Sequence, residues 1–137
     1  MRLCCDRTDA LRQNLGGDVG AVAVVEFVEG GLDIRPDHPQ GKTGEAYADY
    51  LRSVFTWSSD FAVEMVSLHE VNDGKGYVTE WEIRGTNDGP AADGNPATGK
   101  TYKLRGITIC EVEGDKIRQA RTYFDLLALG QQLAPTN

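Results

Sequence analysis

Cysteine is scarce, and no apolar run is long. Among 137 residues there are only three cysteines, Cys4, Cys5 and Cys110. An odd number with an adjacent pair is not a disulfide framework, and disulfide geometry resists closing so short a loop. No further Cys or His stands at ligand spacing from Cys4 and Cys5, so no metal site is expected. Cys110, within GITICEV, reads as a small buried apolar side chain. The longest apolar stretch, AVAVVEFV, is interrupted by Glu26 and is too short to span a bilayer. The opening MRLCCDRTDALRQ lacks the apolar core of an export signal. Together with the few cysteines, this points to the cytoplasm. Basic residues are in deficit, 14 against 21 acidic, for a net charge of −7. That sign repels phosphate backbones and anionic lipid, so neither nucleic acid nor a membrane is expected as a partner. GxSxG, the Walker loop, a GxGxxG after a strand and HExxH are all missing. No cofactor is therefore implied.

What is present has ordinary globular proportions, 40% apolar and 26% charged, and a length that fits one domain over residues 1–137. Residues 7–15 read as a short helix stopped by Gly16 and Gly17. Residues 18–28 are ambiguous: Asp18 suits a helix cap, while the valines and Phe27 favour a strand. Gly30 and Gly31 are expected to turn the chain into a short extended piece, Leu32 to Arg35. Residues 36–44, rich in proline and glycine, are expected to form a loop. The clearest helix is 45–55, where Tyr47, Tyr50, Leu51, Val54 and Phe55 share one face.

From residue 61 the period changes to two. Phe61, Val63 and Met65 alternate with Ala62, Glu64 and Val66, and Asn72-Asp73-Gly74-Lys75-Gly76 is a hairpin turn. Tyr77, Thr79, Trp81 and Ile83 form a buried face opposed by Glu80, Glu82 and Arg84. Residues 85–100 are a long loop, 102–112 a strand, and 117–124 the last strand. Asp125 to Leu133 is a closing helix. Helices followed by hairpin-linked strands predict an α+β domain with helices packed on one face of a curved antiparallel sheet.

The second half carries an ordered set of short motifs. They are Gly85-Thr86, Pro96-Ala97-Thr98-Gly99-Lys100, Gly106-Ile107, Glu113-Gly114-Asp115-Lys116-Ile117, Tyr123-Phe124-Asp125, and Gln132-Leu133. In order and spacing this set resembles the SnoaL-like polyketide cyclase branch of the nuclear-transport-factor-2-like superfamily, over about residues 41–133. The resemblance implies a cone-shaped α+β barrel, its sheet wrapped around N-terminal helices, with a deep apolar pocket between them. It makes 18–28 the second helix and the opening helix unusually short. It also implies a homodimer formed through outer sheet faces. Relatives include ketosteroid isomerase and limonene epoxide hydrolase, alongside proteins that bind without catalysis.

By this resemblance Asp125 matches the aspartate that such cyclases use as general acid and base. A carboxyl group desolvated in an apolar pocket can take a proton from carbon and return it to oxygen. Asp125 also directly precedes a helix, which makes it a natural N-cap. Gln119, Arg121 and Tyr123 alternate with Asp125 on one face of the last strand, and are expected to line the pocket and hold substrate. Asp37 and His38 are further proton-transfer candidates, because relatives place a base where an extended piece ends before the main helix. Trp81 and Tyr50 are candidates to contact a flat ligand. The expected function is cofactor-free acid–base chemistry (cyclisation, isomerisation or hydration) on an apolar carbonyl compound. The competing reading is a non-catalytic ligand-binding or dimeric interaction module on the same fold.

Overall fold

A computed structural model describes residues 27–114 and 116–134. The elements are β1 (Phe27–Arg35), β2 (His38–Lys42), α1 (Gly44–Trp57), β3 (Ala62–Val71), β4 (Gly76–Thr86), β5 (Thr101–Glu113), β6 (Lys116–Phe124) and α2 (Leu126–Leu133). Together the strands make one curved six-stranded sheet in the order β2-β1-β6-β5-β4-β3. Neighbours run antiparallel except β1 and β6, which pair in parallel. The α+β class is thus as expected, with one parallel joint between its two halves.

The β3–β4 hairpin forms where the turn chemistry puts it. Asn72, Asp73 and Gly74 take φ of 53°, 54° and 83°, the left-handed region these residues tolerate best. Alternation then sorts β4: Tyr77, Thr79, Trp81 and Ile83 are buried, and the residues between them are not. In β5 the buried positions are Tyr102, Leu104 and Cys110. The outer face of the sheet leaves Val66, Ile107 and Tyr123 exposed.

Two expectations for the first half are corrected. Residues 36–44 are not a loop throughout. His38–Lys42 is a strand pairing with β1, Arg35 opposite His38 and Asp33 opposite Lys42, joined by a turn at Pro36-Asp37. Pro39 is tolerated because β2 is the sheet's edge, where a missing N–H interrupts no second ladder. Gly30 and Gly31 do not end the extended run either. Both lie inside β1, where the pairing with β6 shifts register between Phe27 and Leu32. A side chain at Gly31 would meet the Phe27 ring at 2.8 Å and the Ile117 carbonyl at 3.0 Å, so the irregular stretch needs glycine there. The expected helix at 7–15 lies outside the described residues, as does most of 18–28; Phe27 and Val28 belong to β1.

Helix α1 lays its apolar face on the sheet. Tyr47 and Leu51 are buried, packed with Phe27, Tyr50, Phe55 and Phe61. A second apolar cluster joins Trp81, Ile83, Tyr102 and Leu104 to Trp57, Phe124 and the inner side of α2. Fully burying a side chain such as Leu51 is worth about 2 kcal/mol. The loop between β4 and β5 is pinned to the end of α1. The buried Asn87 side chain donates to the carbonyls of Trp57 and Gly89 and accepts from Thr98.

Candidate functional site

Between α1 and the inner face of the sheet lies a cavity of about 760 Å3. Its walls are mostly apolar, and two of the expected ligand contacts, Tyr50 and Trp81, are among them. Polar side chains reach it from the β1–β2 hairpin, from a row of threonines across the sheet, and at Asp49, Ser53 and Asp93.

The hairpin brings Asp33, Arg35, Asp37 and His38 to the cavity wall. The reason is local. Asp33 and Arg35 are two apart on β1 and so share a face. Arg35 is paired across the hairpin with His38. On the other side of β1, Asp33 stands beside Ala120, whose small side chain leaves room for a carboxylate. Asp33 is only 2% exposed, and its Oδ2 receives both Arg35 Nε and His38 Nε2 at 2.9 Å. Since Arg35 already donates to this oxygen, Asp33 serves as acceptor. His38 Nε2 therefore carries the hydrogen of that bond, and Nδ1 is the ring nitrogen turned away from Asp33. That Nδ1 is buried and has no hydrogen-bond partner among the described residues. Asp37 Oδ1 lies 3.6 Å from it. Asp37 is the more open of the two carboxylates, with 36% of its side chain exposed.

Aromatic rings frame this cluster. The His38 ring meets Tyr50 edge-on at 4.6 Å. The Arg35 guanidinium lies 5.0 Å from the Tyr50 ring centre and 6.0 Å from that of Tyr47. Burial alone would lower the proton affinity of Arg35, but Tyr50, Tyr47 and Asp33 outweigh it, and its pKa rises above the ordinary value. Burial pushes the Tyr50 phenol up as well; Arg35 opposes this, and Asp37 and Asp33 reinforce it. Tyr50 thus stays neutral at physiological pH.

The second polar feature is a row of hydroxyls. Thr79, Thr108 and Thr122 occupy matched positions on β4, β5 and β6, and all three line the cavity. Thr108 Oγ1 accepts from the Trp81 indole at 2.9 Å and lies 2.8 Å from Thr122 Oγ1. Thr79 Oγ1 donates to the Thr108 carbonyl at 3.4 Å.

Elsewhere the site differs from expectation. Gln119, Arg121 and Tyr123 lie on the opposite face of β6. The side turned to the cavity carries Ala120, Thr122 and Phe124 instead. Tyr123 is 51% exposed, and Arg121 approaches Glu111 on the outer surface. These three therefore stand away from the hairpin cluster. Asp125 is exposed, and its Oδ1 accepts from the Ala128 amide at 2.9 Å, capping α2. It is not among the residues lining the cavity, although its neighbours Phe124 and Leu126 are.

Sequence reasoning missed Asp33, Arg35 and the threonine row. For the first two the signal was the Pro36-Asp37 turn, which folds DIRPDH into a hairpin with one polar face. For Thr122 it was the alternation Ala120, Thr122, Phe124, whose small and apolar side chains mark the inner face better than the charged set beside them.

The fold agrees with comparisons to known proteins. The profile of the SnoaL-like polyketide cyclase family matches residues 22–133. The chain belongs to that family. Among solved structures, a SnoaL-like protein from Jannaschia sp. CCS1 superposes with a TM-score of 0.70 at 21% identity, covering 81% of this chain and 76% of that one. TsrD from Streptomyces laurentii gives 0.65 at 25% identity, covering 79% and 77%. A phenazine biosynthesis-related protein from Pseudomonas aeruginosa gives 0.64 at 17%, covering 81% and 70%. No curated protein matches the chain. For this SnoaL-like chain, no helix among the described residues is long and apolar enough to cross a membrane.

Proposed function

We propose that this SnoaL-like protein is an enzyme that moves a proton on an apolar, carbonyl-bearing small molecule held in the cavity, with Asp37 and His38 as the working pair. The observation that carries this reading is the buried His38. Its Nε2 is fixed on Asp33, and its unpaired Nδ1 is aimed at the cavity-lining Asp37, 3.6 Å away. Asp37 is the carboxylate that can meet a substrate carbon. A proton taken up there is shared with His38 Nδ1, and Asp33 balances the imidazolium that results. The apolar walls keep water from competing and strengthen each of these interactions. The order Asp33, His38, Asp37 is thus a short relay from a shielded carboxylate to an open one. We also propose that the partner is a second copy of the chain, seated on the outer face where Ile107 lies between Glu80 and Tyr123.

A chromogenic probe tests the reaction class without knowledge of the natural substrate. 5-Nitrobenzisoxazole opens to a coloured nitrophenolate when a base removes its ring C–H proton. The protein is expected to accelerate this above an equal concentration of acetate or imidazole. Asp37→Asn removes the proton acceptor and lowers the rate by about a hundredfold. His38→Gln gives a smaller loss. No acceleration by the wild-type protein returns the chain to the class of non-catalytic binding modules.

A further inference from the structure

We infer that the Thr108–Thr122 hydroxyl pair, backed by the Trp81 indole, supplies the donor that receives the carbonyl oxygen of the ligand and holds the negative charge it gains when the adjacent carbon loses a proton. The inference deepens the acid–base reading and rests on it for the reaction, but its own evidence is a count of hydrogens. Trp81 Nε1, Thr108 Oγ1 and Thr122 Oγ1 bring three donor hydrogens. They make two bonds among themselves, Trp81 to Thr108 at 2.9 Å and one between the two hydroxyls at 2.8 Å. If Thr108 donates to Thr122, the Thr122 hydrogen is left over. If Thr122 donates to Thr108, the Thr108 hydrogen is left over. Either way one O–H has no acceptor among the described residues, on a pair that lines the cavity.

The surroundings fit an oxygen that becomes negative. Thr122 is 5% exposed, so a bond made there is shielded from water. Because the indole hydrogen already points at Thr108, the chain of donors is polarised toward the guest. Ile34 pairs with Arg121, which sets Arg35 at the strand position beside Thr122 and adds a fixed positive charge to the same wall. Asp33 stands beside Ala120, two residues along β6 from Thr122. Two strand residues span about 7 Å, room for a ring carbonyl whose neighbouring carbon faces the hairpin. Trp81 and Phe124, in edge-on contact with ring centres 6.3 Å apart, add apolar wall to the same cavity. The C–H electron pair becomes a C=C bond while the C=O π pair shifts onto the oxygen, which keeps its σ bond to carbon. The proton leaves carbon for Asp37, the electron pair moves to the oxygen, and the hydroxyls stabilise it in place.

4-Nitrophenolate, a flat oxyanion with a visible band that reports its hydrogen bonds, is the probe. The full chain is expected to bind it, and Thr122→Val or Thr108→Val to weaken binding about tenfold each, the value of a hydrogen bond to a charged oxygen. In both valine variants the bound band lies further to the red, because fewer donors hold the charge. Thr122→Ser restores the wild-type affinity and band, which separates the hydroxyl from the packing. His38→Gln binds the phenolate with the wild-type band while turning over 5-nitrobenzisoxazole more slowly, so the donor set and the proton-transfer pair are read independently. Phenolate binding with an unchanged band and affinity in both valine variants overturns the assignment. So does a wild-type protein that does not bind the phenolate.

Discussion

Replacing Asp33 by asparagine isolates the contribution of the buried carboxylate. The amide has the volume of the acid, so no cavity opens. What changes is the charge beneath Arg35 and His38. Asp33 Oδ2 holds two bonds of 2.9 Å, to a guanidinium 22% exposed and an imidazole 8% exposed. A hydrogen bond to a charged group contributes about 1.5–3 kcal/mol, and orphaning one member of a buried ion pair costs about 3–5 kcal/mol. Arg35 keeps its stacking on Tyr50 and a partial path to solvent, which places the loss at the low end, about 3 kcal/mol. For a chain of this length that corresponds to a melting temperature lower by about 10 °C. Urea denaturation measures it directly: the midpoint falls while the slope is unchanged, because the surface exposed on unfolding is the same. Adding Arg35→Met removes the charge left behind, so the double variant is expected to lose less than the sum of the two single changes. A loss under about 0.5 kcal/mol for Asp33→Asn, the range of an ordinary surface change, refutes the claim that this carboxylate anchors the cluster.

Two further outcomes follow from the geometry. Burial raises the Tyr102 phenol from 10.0 to about 12, against a hydrogen bond to Ser58 that acts the other way. A raised folded-state value gives stability that is intact below pH 10 and is lost as pH climbs through about 12. Tyr102→Phe is therefore expected to cost about 1 kcal/mol at neutral pH, from the lost Ser58 bond, yet to fall less steeply in urea midpoint above pH 10. Equal alkaline slopes for the two proteins contradict this. On the outer face, Ile107→Lys places a charge between Glu80 and Tyr123 and is expected to turn a dimer into a monomer in sedimentation equilibrium. A wild-type monomer removes the proposed interface.

Parts of this molecule were legible because one local rule decided them. The apolar positions Tyr47, Tyr50, Leu51, Val54 and Phe55 sit at helical spacing, and α1 forms around them. Asn72-Asp73-Gly74 tolerates left-handed backbone, and the β3–β4 hairpin follows. Elsewhere two rules competed. Pro39 argues against a strand, but only for a strand with two neighbours, and β2 has one. On β6, alternation separates Gln119, Arg121 and Tyr123 from Ala120, Thr122 and Phe124 without saying which set faces inward. Polar chemistry suggested the first set, whereas packing against α1 and α2 selects the second. Asp125 offered both a cap and a catalytic carboxylate, and its side chain is engaged by the Ala128 amide. The threonine row was hidden for a different reason. Its members are separated by 29 and 14 positions, and only strand register lines them up.

The hairpin at Pro36-Asp37 has a consequence for how the site is made and lost. Asp33, Arg35, Asp37 and His38 all come from six consecutive residues at the edge of the sheet, supported from the interior mainly by β6 through Ala120. Their mutual geometry is thus set by one turn rather than by distant parts of the chain. An edge hairpin can open by itself, at a free energy below that of global unfolding. The proton-handling groups then behave as a cassette: they assemble and disperse together, while the cavity's aromatic walls and hydroxyl row persist. A lineage on this fold could exchange that one segment and change the reaction while keeping the ligand.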